Sequence, residues 1–354
     1  ASPISSTENG EPSTAAASGG GGGGFTADPF GNPPQHRVPG DVLGAPAVGL
    51  PLPRGPHPHS DGLPLTDRSQ VAERIRDASI VLLSVLQLDA ALLSPEVCPH
   101  LRMIAVVASG TDNIDLEACR RRGIHVANTP HANADSVAEH ALALYFAARR
   151  SVVLAHSRTQ RGSGQIRNKG PGCCIRLMGR MGRCRGLIVG IVGYGAVGKK
   201  VARLFGALGM RVMGDAAATT KKEEGEEVRA PFDTVLRTAS VLVLCLPRLL
   251  STENLIGAAE LEAMPRHAVL VNVARGGIVD EQALVEALRS RSIAGAATDP
   301  AGPETGTPLL PGDESLRDLN LITTPHVAWC AEDTNRNYND MTVENVFSWL
   351  EEGD

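Results

Sequence analysis

Two rhythms of apolar and polar positions run along the chain from residue 67 onward, and the first 66 residues show neither. Val71, Ile75 and Ala78 recur at helical spacing and lead into the unbroken apolar run Ile80-Val81-Leu82-Leu83, the pattern of a helix followed by a strand buried on both faces. A second run begins at Met103 and ends at Val107, then a short helix is predicted over 115–122 and a strand ending at Val126. Asn133 or Asp135 is placed to cap a long helix whose Val137, Ala141, Leu144 and Tyr145 share one face. From 187 the alternation becomes regular. It predicts strands over 187–192, 211–213, 241–245, 269–273, near 294–297 and over 321–323, with helices over 197–208, from 233 and over 281–289. Alternation of this kind packs as a parallel sheet with helices on both faces. A last amphipathic helix is predicted over 333–351, with Met341, Val343, Val346, Phe347 and Leu350 on its apolar side.

Composition narrows the class. A chain of 354 residues is long for one hydrophobic core and fits two domains. It contains no run of 18 apolar residues, so no membrane span is expected. Lys and Arg number 34 against 39 Asp and Glu, a net charge of -5, which removes the global basic field that drives nonspecific nucleic-acid binding. The residues before 67 are rich in Gly, Pro, Ala and Ser, including the run from Gly19 to Gly24, and read as a disordered leader. This leader starts at Ala1 and has neither the apolar core of a secretory signal nor the Arg-rich amphipathicity of a transit peptide. A cytoplasmic location is the expectation, with an organelle left open. The segment 157–186 carries eight Arg and Lys and no acid. It reads as a solvated connection between domains, because a nucleic-acid strip would interleave aromatics. The seven cysteines contain no C-x-x-C pair and read as reduced thiols. No metal site is expected.

The first chemistry appears at Gly193-Tyr194-Gly195-Ala196-Val197-Gly198, a G-x-G-x-x-G that directly follows an apolar strand and opens a helix. Gly193 allows a tight turn, Gly195 lets the backbone approach a pyrophosphate, and Gly198 lets the helix lie close to the strand, while the helix N-terminus offers N–H donors to the phosphates. Asp215 stands 22 residues after Gly193, where an acid accepts hydrogen bonds from ribose hydroxyls, although an ordinary turn residue is the bland alternative. NAD is the expected cofactor, held by Gly193, Gly195, Ala196, Val197, Gly198 and Asp215.

The second chemistry is spread over two strand ends. Asn272-Val273-Ala274-Arg275-Gly276-Gly277 puts an Arg at the carboxyl end of one parallel strand, and Thr324-Pro325-His326 puts a His at the end of the last. A planar cation to hold a carboxylate and a proton donor for a carbonyl oxygen are what reduction of a 2-oxo acid needs. These residues, with Ala108-Ser109-Gly110-Thr111-Asp112-Asn113-Ile114-Asp115-Leu116, Asn128-Thr129-Pro130 and Ser136-Val137-Ala138-Glu139-His140, resemble the D-isomer-specific 2-hydroxyacid dehydrogenases, nearest to a glycerate and formate dehydrogenase-like branch. The resemblance covers the chain from Asp67 to its end.

The resemblance implies a Rossmann-type doubly wound sheet with a second, discontinuous flavodoxin-like α/β substrate domain. The expected division is a leader over 1–66, a substrate domain over 67–152 and 327–354, and a dinucleotide-binding domain over 153–326. It implies that Arg275 binds the substrate and that His326 is the acid/base. A Glu tuning that His falls at Glu304 by spacing, 29 residues after Arg275 and five after Asp299. It further implies that Ser109 and Gly110 offer backbone N–H groups to the carboxylate, that Val273 and Ala274 line the cofactor, that Asp299 lies near the nicotinamide carboxamide, and that the protein is a homodimer. The expected activity is hydroxypyruvate or glyoxylate reductase-like. Two rivals stand beside it: a nucleotide-sensing binding module of corepressor type, which keeps the fingerprint and works through a partner surface, and a catalytically impaired homologue.

Overall fold

Runs of consecutive apolar residues become strands covered on both faces, and they gather into two parallel sheets. The computed structural model describes residues 68–161, 183–215, 228–299 and 314–352. The predicted leader over 1–66, Glu304 and most of the basic segment lie outside the described residues.

The smaller sheet has the order β1 (Ile80–Leu83), β2 (Met103–Val106), β3 (His125–Ala127), with Ile80 opposite Met103 and Met103 opposite His125. One face, with Val81, Leu83, Ile104 and Val106, packs on Val71 and Ile75 of α1 (Val71–Ile75) and on Ala118 and Cys119 of α2 (Leu116–Arg122). Helix α2 starts where the Asp115 carboxylate accepts the Ala118 N–H at 2.8 Å and stops at Gly123, whose φ of 68° ends it in the left-handed region.

The larger sheet contains β4 (Ile188–Val192), β5 (Arg211–Asp215), β6 (Val228–Ala230), β7 (Val241–Leu244), β8 (Val269–Asn272), β9 (Gly295–Thr298) and β10 (Leu321–Thr323). Its order is β10-β9-β8-β7-β4-β5-β6, all parallel. The period of two decides the faces: Val241, Val243, Val269 and Val271 enter one core, Leu242, Leu244 and Leu270 the other. The first core is closed by α3 (Ala134–Arg149) and α5 (Ala196–Ala207), the second by α6 (Phe232–Thr238), α7 (Ala258–Ala263) and α8 (Glu281–Arg289). Val137, Ala141, Leu144 and Tyr145 of α3 share the buried face the sequence predicts, and they pack with Val189, Val201 and Phe205 on the larger sheet.

Several local expectations are corrected. Asn133 precedes α3 but caps nothing; its side chain turns toward Ser109 instead. Asp135 is exposed and pairs with Lys200 at 2.6 Å. A further helix, α4 (Val152–Gln160), follows α3 after Ser151 takes the left-handed conformation with φ of 46°, so the basic segment begins inside a helix. Strand β5 reaches Asp215, two residues beyond the predicted end, because it is paired on both sides, with β4 and with the unpredicted β6. The last helix, α9 (Glu332–Glu352), buries Thr334, Tyr338 and Thr342 and lays Val346, Trp349 and Leu350 on the smaller sheet, leaving Val343 54% and Phe347 48% exposed. Its buried side therefore follows the surface it meets, rotated from the stripe read off hydrophobicity alone. Arg102 adds a cation–π contact 5.2 Å from the centre of the Trp349 ring.

Candidate active site

The order of the larger sheet brings the predicted residues to one edge. In a parallel sheet every carboxyl end lies on the same side, and ligands bind there where the order reverses. Reversal occurs at β4, flanked by β7 and β5. Along that edge the chain places Gly193 after β4, Arg275 after β8, Asp299 after β9 and His326 after β10.

The glycine turn is shaped for close approach. Gly193 has φ of 89°, and a Cβ there would stand 2.7 Å from the Cys245 carbonyl carbon and the Leu246 nitrogen. A Cβ on Gly198 would strike the Gly193 carbonyl and lie 3.3 Å from Ile191. Gly195 differs: the space a side chain would fill is open, with nothing within 4 Å. As the N-cap of α5 it brings no side-chain hydrogen bond, and Ala196 and Val197 open the helix behind it. An open cradle at a helix N-terminus without a capping side chain fits a dinucleotide pyrophosphate. Burial pushes the neighbouring Cys245 thiol up to about 12, so it stands beside this turn as a neutral group. Asp215 closes β5, the second strand of the unit.

Arg275 is fixed from below and from across. The Asn272 side chain donates to the Arg275 carbonyl at 2.9 Å and accepts the Ala274 N–H at 3.0 Å, which pins the turn after β8 together with buried Val273 and Ala274. The guanidinium donates through Nη1 to the Ala274 carbonyl at 2.9 Å and through Nε to the Asp112 carboxylate at 3.1 Å. Its other amino group lies against Gly110, where a Cβ would collide with it. A side chain at Gly110 would displace the Arg275 guanidinium and the Asp112 carboxylate from their present places. The loop that carries Gly110 is itself anchored: Asn128 donates to the Ser109 carbonyl at 2.8 Å, and the single Ser109 hydroxyl hydrogen has two acceptors in reach, the Asn133 side-chain oxygen at 3.0 Å and the Thr129 carbonyl at 3.1 Å. Among the described residues, no group accepts a hydrogen bond from the Ser109 or Gly110 N–H.

His326 is half-buried, and its Nδ1 has no hydrogen-bond partner among the described residues. Burial and the nearby charge of Arg275 hold the imidazole below its ordinary pKa, against the opposing pull of Asp299 and Asp112. Asp299 is buried and accepts from the Thr324 hydroxyl and from the backbone of Val327 and Ala328. Ser109, Gly110, Arg275 and His326 thus converge, with Asp299 behind His326.

Two residues join the site that spacing did not single out. Asp112 is the ion-pair partner of Arg275; its place two residues after Gly110 in a matching motif was the available signal. Tyr338 of α9 sits beside the Trp329 ring at 6.4 Å, and its phenol faces Ser109 and Asn133. Burial holds that phenol above its usual pKa. No local pattern marks Tyr338, since only packing turns α9 toward this loop.

Comparison with known proteins gives the family. Residues 142–328 match the family model of the D-isomer specific 2-hydroxyacid dehydrogenase, NAD binding domain. The chain is 35% identical over 298 residues to a glycerate dehydrogenase of Methylorubrum extorquens, covering 83% of this chain and 90% of that protein. It is 36% identical over 281 residues to a glyoxylate reductase of Aeropyrum pernix, covering 78% and 81%. A solved NADPH-dependent glyoxylate/hydroxypyruvate reductase of Sinorhizobium meliloti, in complex with NADP and malonate, superposes with a TM-score of 0.67 at 29% identity, over 80% of this chain and 84% of that one. These relatives are enzymes, in keeping with the oxidoreductase reading and not with a corepressor-type module. With the glycine cradle at the reversal point, the Arg and His strand ends beside it and these likenesses along most of its length, the chain belongs to the D-isomer-specific 2-hydroxyacid dehydrogenase family and is an NAD-dependent oxidoreductase.

Proposed function

We propose that this enzyme works mainly as a reductase of a small 2-oxo acid such as glyoxylate or hydroxypyruvate, with NADH in preference to NADPH. The observation that carries the reading is the meeting of Gly110 with the Arg275 guanidinium, because it sets a fixed planar cation beside two backbone N–H groups with no acceptor among the described residues. Such a cluster suits a carboxylate. Arg275 orients the acid through the amino groups that Asp112 leaves available, and Ser109 and Gly110 add backbone donors. NADH, when bound along the Gly193 turn, supplies the hydride. His326 donates its proton to the carbonyl oxygen as negative charge develops there. Trp329 and Tyr338 pack together beside the loop that carries Ser109.

Glu304 is proposed as the partner of His326 Nδ1. A buried ring nitrogen with no partner among the described residues needs one, and an imidazole held low needs a carboxylate to stay protonated near neutral pH. The rest of the reading follows the sequence: a substrate domain over 67–152 and 327–354, a cofactor domain over 153–326, a homodimer, and a cytoplasmic location. An acid at position 215 repels a 2′-phosphate, which supports NADH. The relative from Sinorhizobium meliloti is NADPH-dependent, so the cofactor choice is the sharper half of the test. The experiment is side-by-side oxidation of NADH and NADPH with glyoxylate, hydroxypyruvate, pyruvate and phosphohydroxypyruvate. Faster turnover with NADH and the first two acids is expected. Equal or better turnover with NADPH, or a preference for phosphohydroxypyruvate, overturns the corresponding half.

A further inference from the structure

The turn that carries His326 is held by hydrogen bonds to Asp299 and to α3. His326 has φ of 55°, a left-handed conformation uncommon for a residue with a Cβ, although histidine reaches it more readily than most. After this residue the N–H groups of Val327 and Ala328 both donate to Asp299, at 2.9 Å to Oδ1 and 2.8 Å to Oδ2. Successive backbone donors of this kind form a nest for an anion. Oδ1 also accepts the Thr324 hydroxyl at 2.6 Å, so one buried carboxylate ties the turn together on both sides of His326.

A second layer stands on α3. A hydroxyl has a single hydrogen, and Thr324 gives it to Asp299, so Thr324 Oγ1 accepts from His140 Nε2–H at 3.1 Å. One helical turn earlier on the same face, Ser136 donates to the Ala328 carbonyl at 2.6 Å. Ser136 and His140 both come from the Ser136-Val137-Ala138-Glu139-His140 motif, which the chemistry above leaves without a task.

We propose that Asp299, Thr324, His140 and Ser136 are positioning residues that hold the His326 turn in its left-handed conformation and so aim the imidazole. The proposal rests on the reading of His326 as proton donor. It gives Asp299 a task distinct from the nicotinamide contact that the family resemblance implies, since both of its oxygens are engaged by the turn. It also gives α3, through its first two turns, a part in the alignment of the acid.

The test uses the full chain with NADH and glyoxylate, and compares Thr324→Val, Thr324→Ser and His326→Gln. Thr324→Val is expected to lower kcat by about tenfold to a hundredfold, the scale of a small misplacement of a reacting group. NADH affinity by fluorescence titration should stay within about twofold, because the cofactor contacts are elsewhere. The basic limb of the kcat profile should move up toward the ordinary imidazole value as the loosened ring gains water. Thr324→Ser keeps the hydroxyl and should restore kcat to within about threefold of wild type. A melting temperature that falls while kcat and the pH limb of Thr324→Val stay at wild-type values marks a purely structural network and overturns the proposal. Should Thr324→Val not fold, Ser136→Ala is measured in its place, with a lowered kcat expected and an unchanged kcat overturning. Lost turnover in His326→Gln beside an unaffected Thr324→Val overturns this inference alone. Near wild-type turnover in His326→Gln overturns the proton-donor reading, and this inference with it.

Discussion

Two turns at the same edge of the sheet achieve tight geometry by opposite means. The turn after β4 uses glycine: Gly193 is left-handed at little cost and Gly198 has no side chain to obstruct the packing of α5. Its glycine spacing is local, and it rests on the Cys245–Leu246 backbone while Tyr194 packs against Gly214 and Arg229. The turn after β10 carries a histidine in a similar left-handed state, and on the proposed reading the imidazole is what the chemistry needs there. Its conformation is imposed from Asp299, 25 residues before Thr324, and from Ser136 and His140, more than 180 residues before it. A cofactor turn can be written locally since it offers only backbone. A catalytic turn must keep its side chain, and the strain is offset by hydrogen bonds from distant segments.

The most damaging expected change falls between the two turns. Arg275→Lys replaces a forked guanidinium by a point charge that cannot serve Asp112, Ala274 and a carboxylate together, and kcat/KM should fall by about a hundredfold to a thousandfold. Melting temperature and NADH affinity should be retained. A Lys variant that folds, binds NADH and keeps near wild-type kcat/KM removes Arg275 as the anchor.

Gly193→Ala breaks the first turn directly. A methyl group at φ of 89°, 2.7 Å from the Cys245 backbone, forces the turn apart, and NADH affinity should drop by about tenfold to a hundredfold with a destabilisation of about 1–2 kcal/mol. Fluorescence titration and thermal melting read the two effects. Unchanged NADH affinity would show that this turn is not where the dinucleotide lies.

Glu304→Gln tests the proposed pairing of Glu304 with His326. If His326 is the proton donor, reduction needs it protonated and the basic limb follows the imidazole pKa. A neighbouring carboxylate raises that pKa, while burial and Arg275 lower it. Removing the charge should shift the limb to lower pH and reduce kcat/KM by about tenfold at neutral pH. A rate and profile identical to wild type would leave the buried Nδ1 to another partner.

Much of the architecture was legible because it depends on short-range pattern. The strands at 80–83, 188–192 and 241–244, and residues 269–271 of the next, announce themselves as consecutive apolar residues, since a strand covered on both faces must be apolar on both. The fingerprint at Gly193 is equally local. Pattern missed three elements: β6 has three residues and exists as the edge partner of β5, α4 follows a left-handed Ser151 that nothing in the sequence marks, and α7 has only six residues. Helix α9 shows the difference within one element. Its amphipathicity predicts a helix correctly, but the buried side is chosen by the smaller sheet and the 109–112 loop, which call for Tyr338, Thr342 and Trp349 over Val343 and Phe347.

By itself, the sequence determined an α/β chain with a dinucleotide turn and an Arg and a His at strand ends, since apolar period, glycine spacing and motif order are properties of neighbouring residues. Only the tertiary structure decided that Gly110 meets Arg275, that Asp112 and Tyr338 join them, and that Asp299, Thr324 and His140 form one chain of hydrogen bonds behind His326. Hydrogen bonds and ion pairs act over a few ångströms of space whatever their separation along the chain. Such contacts come into being when parallel strands bring their carboxyl ends to one edge.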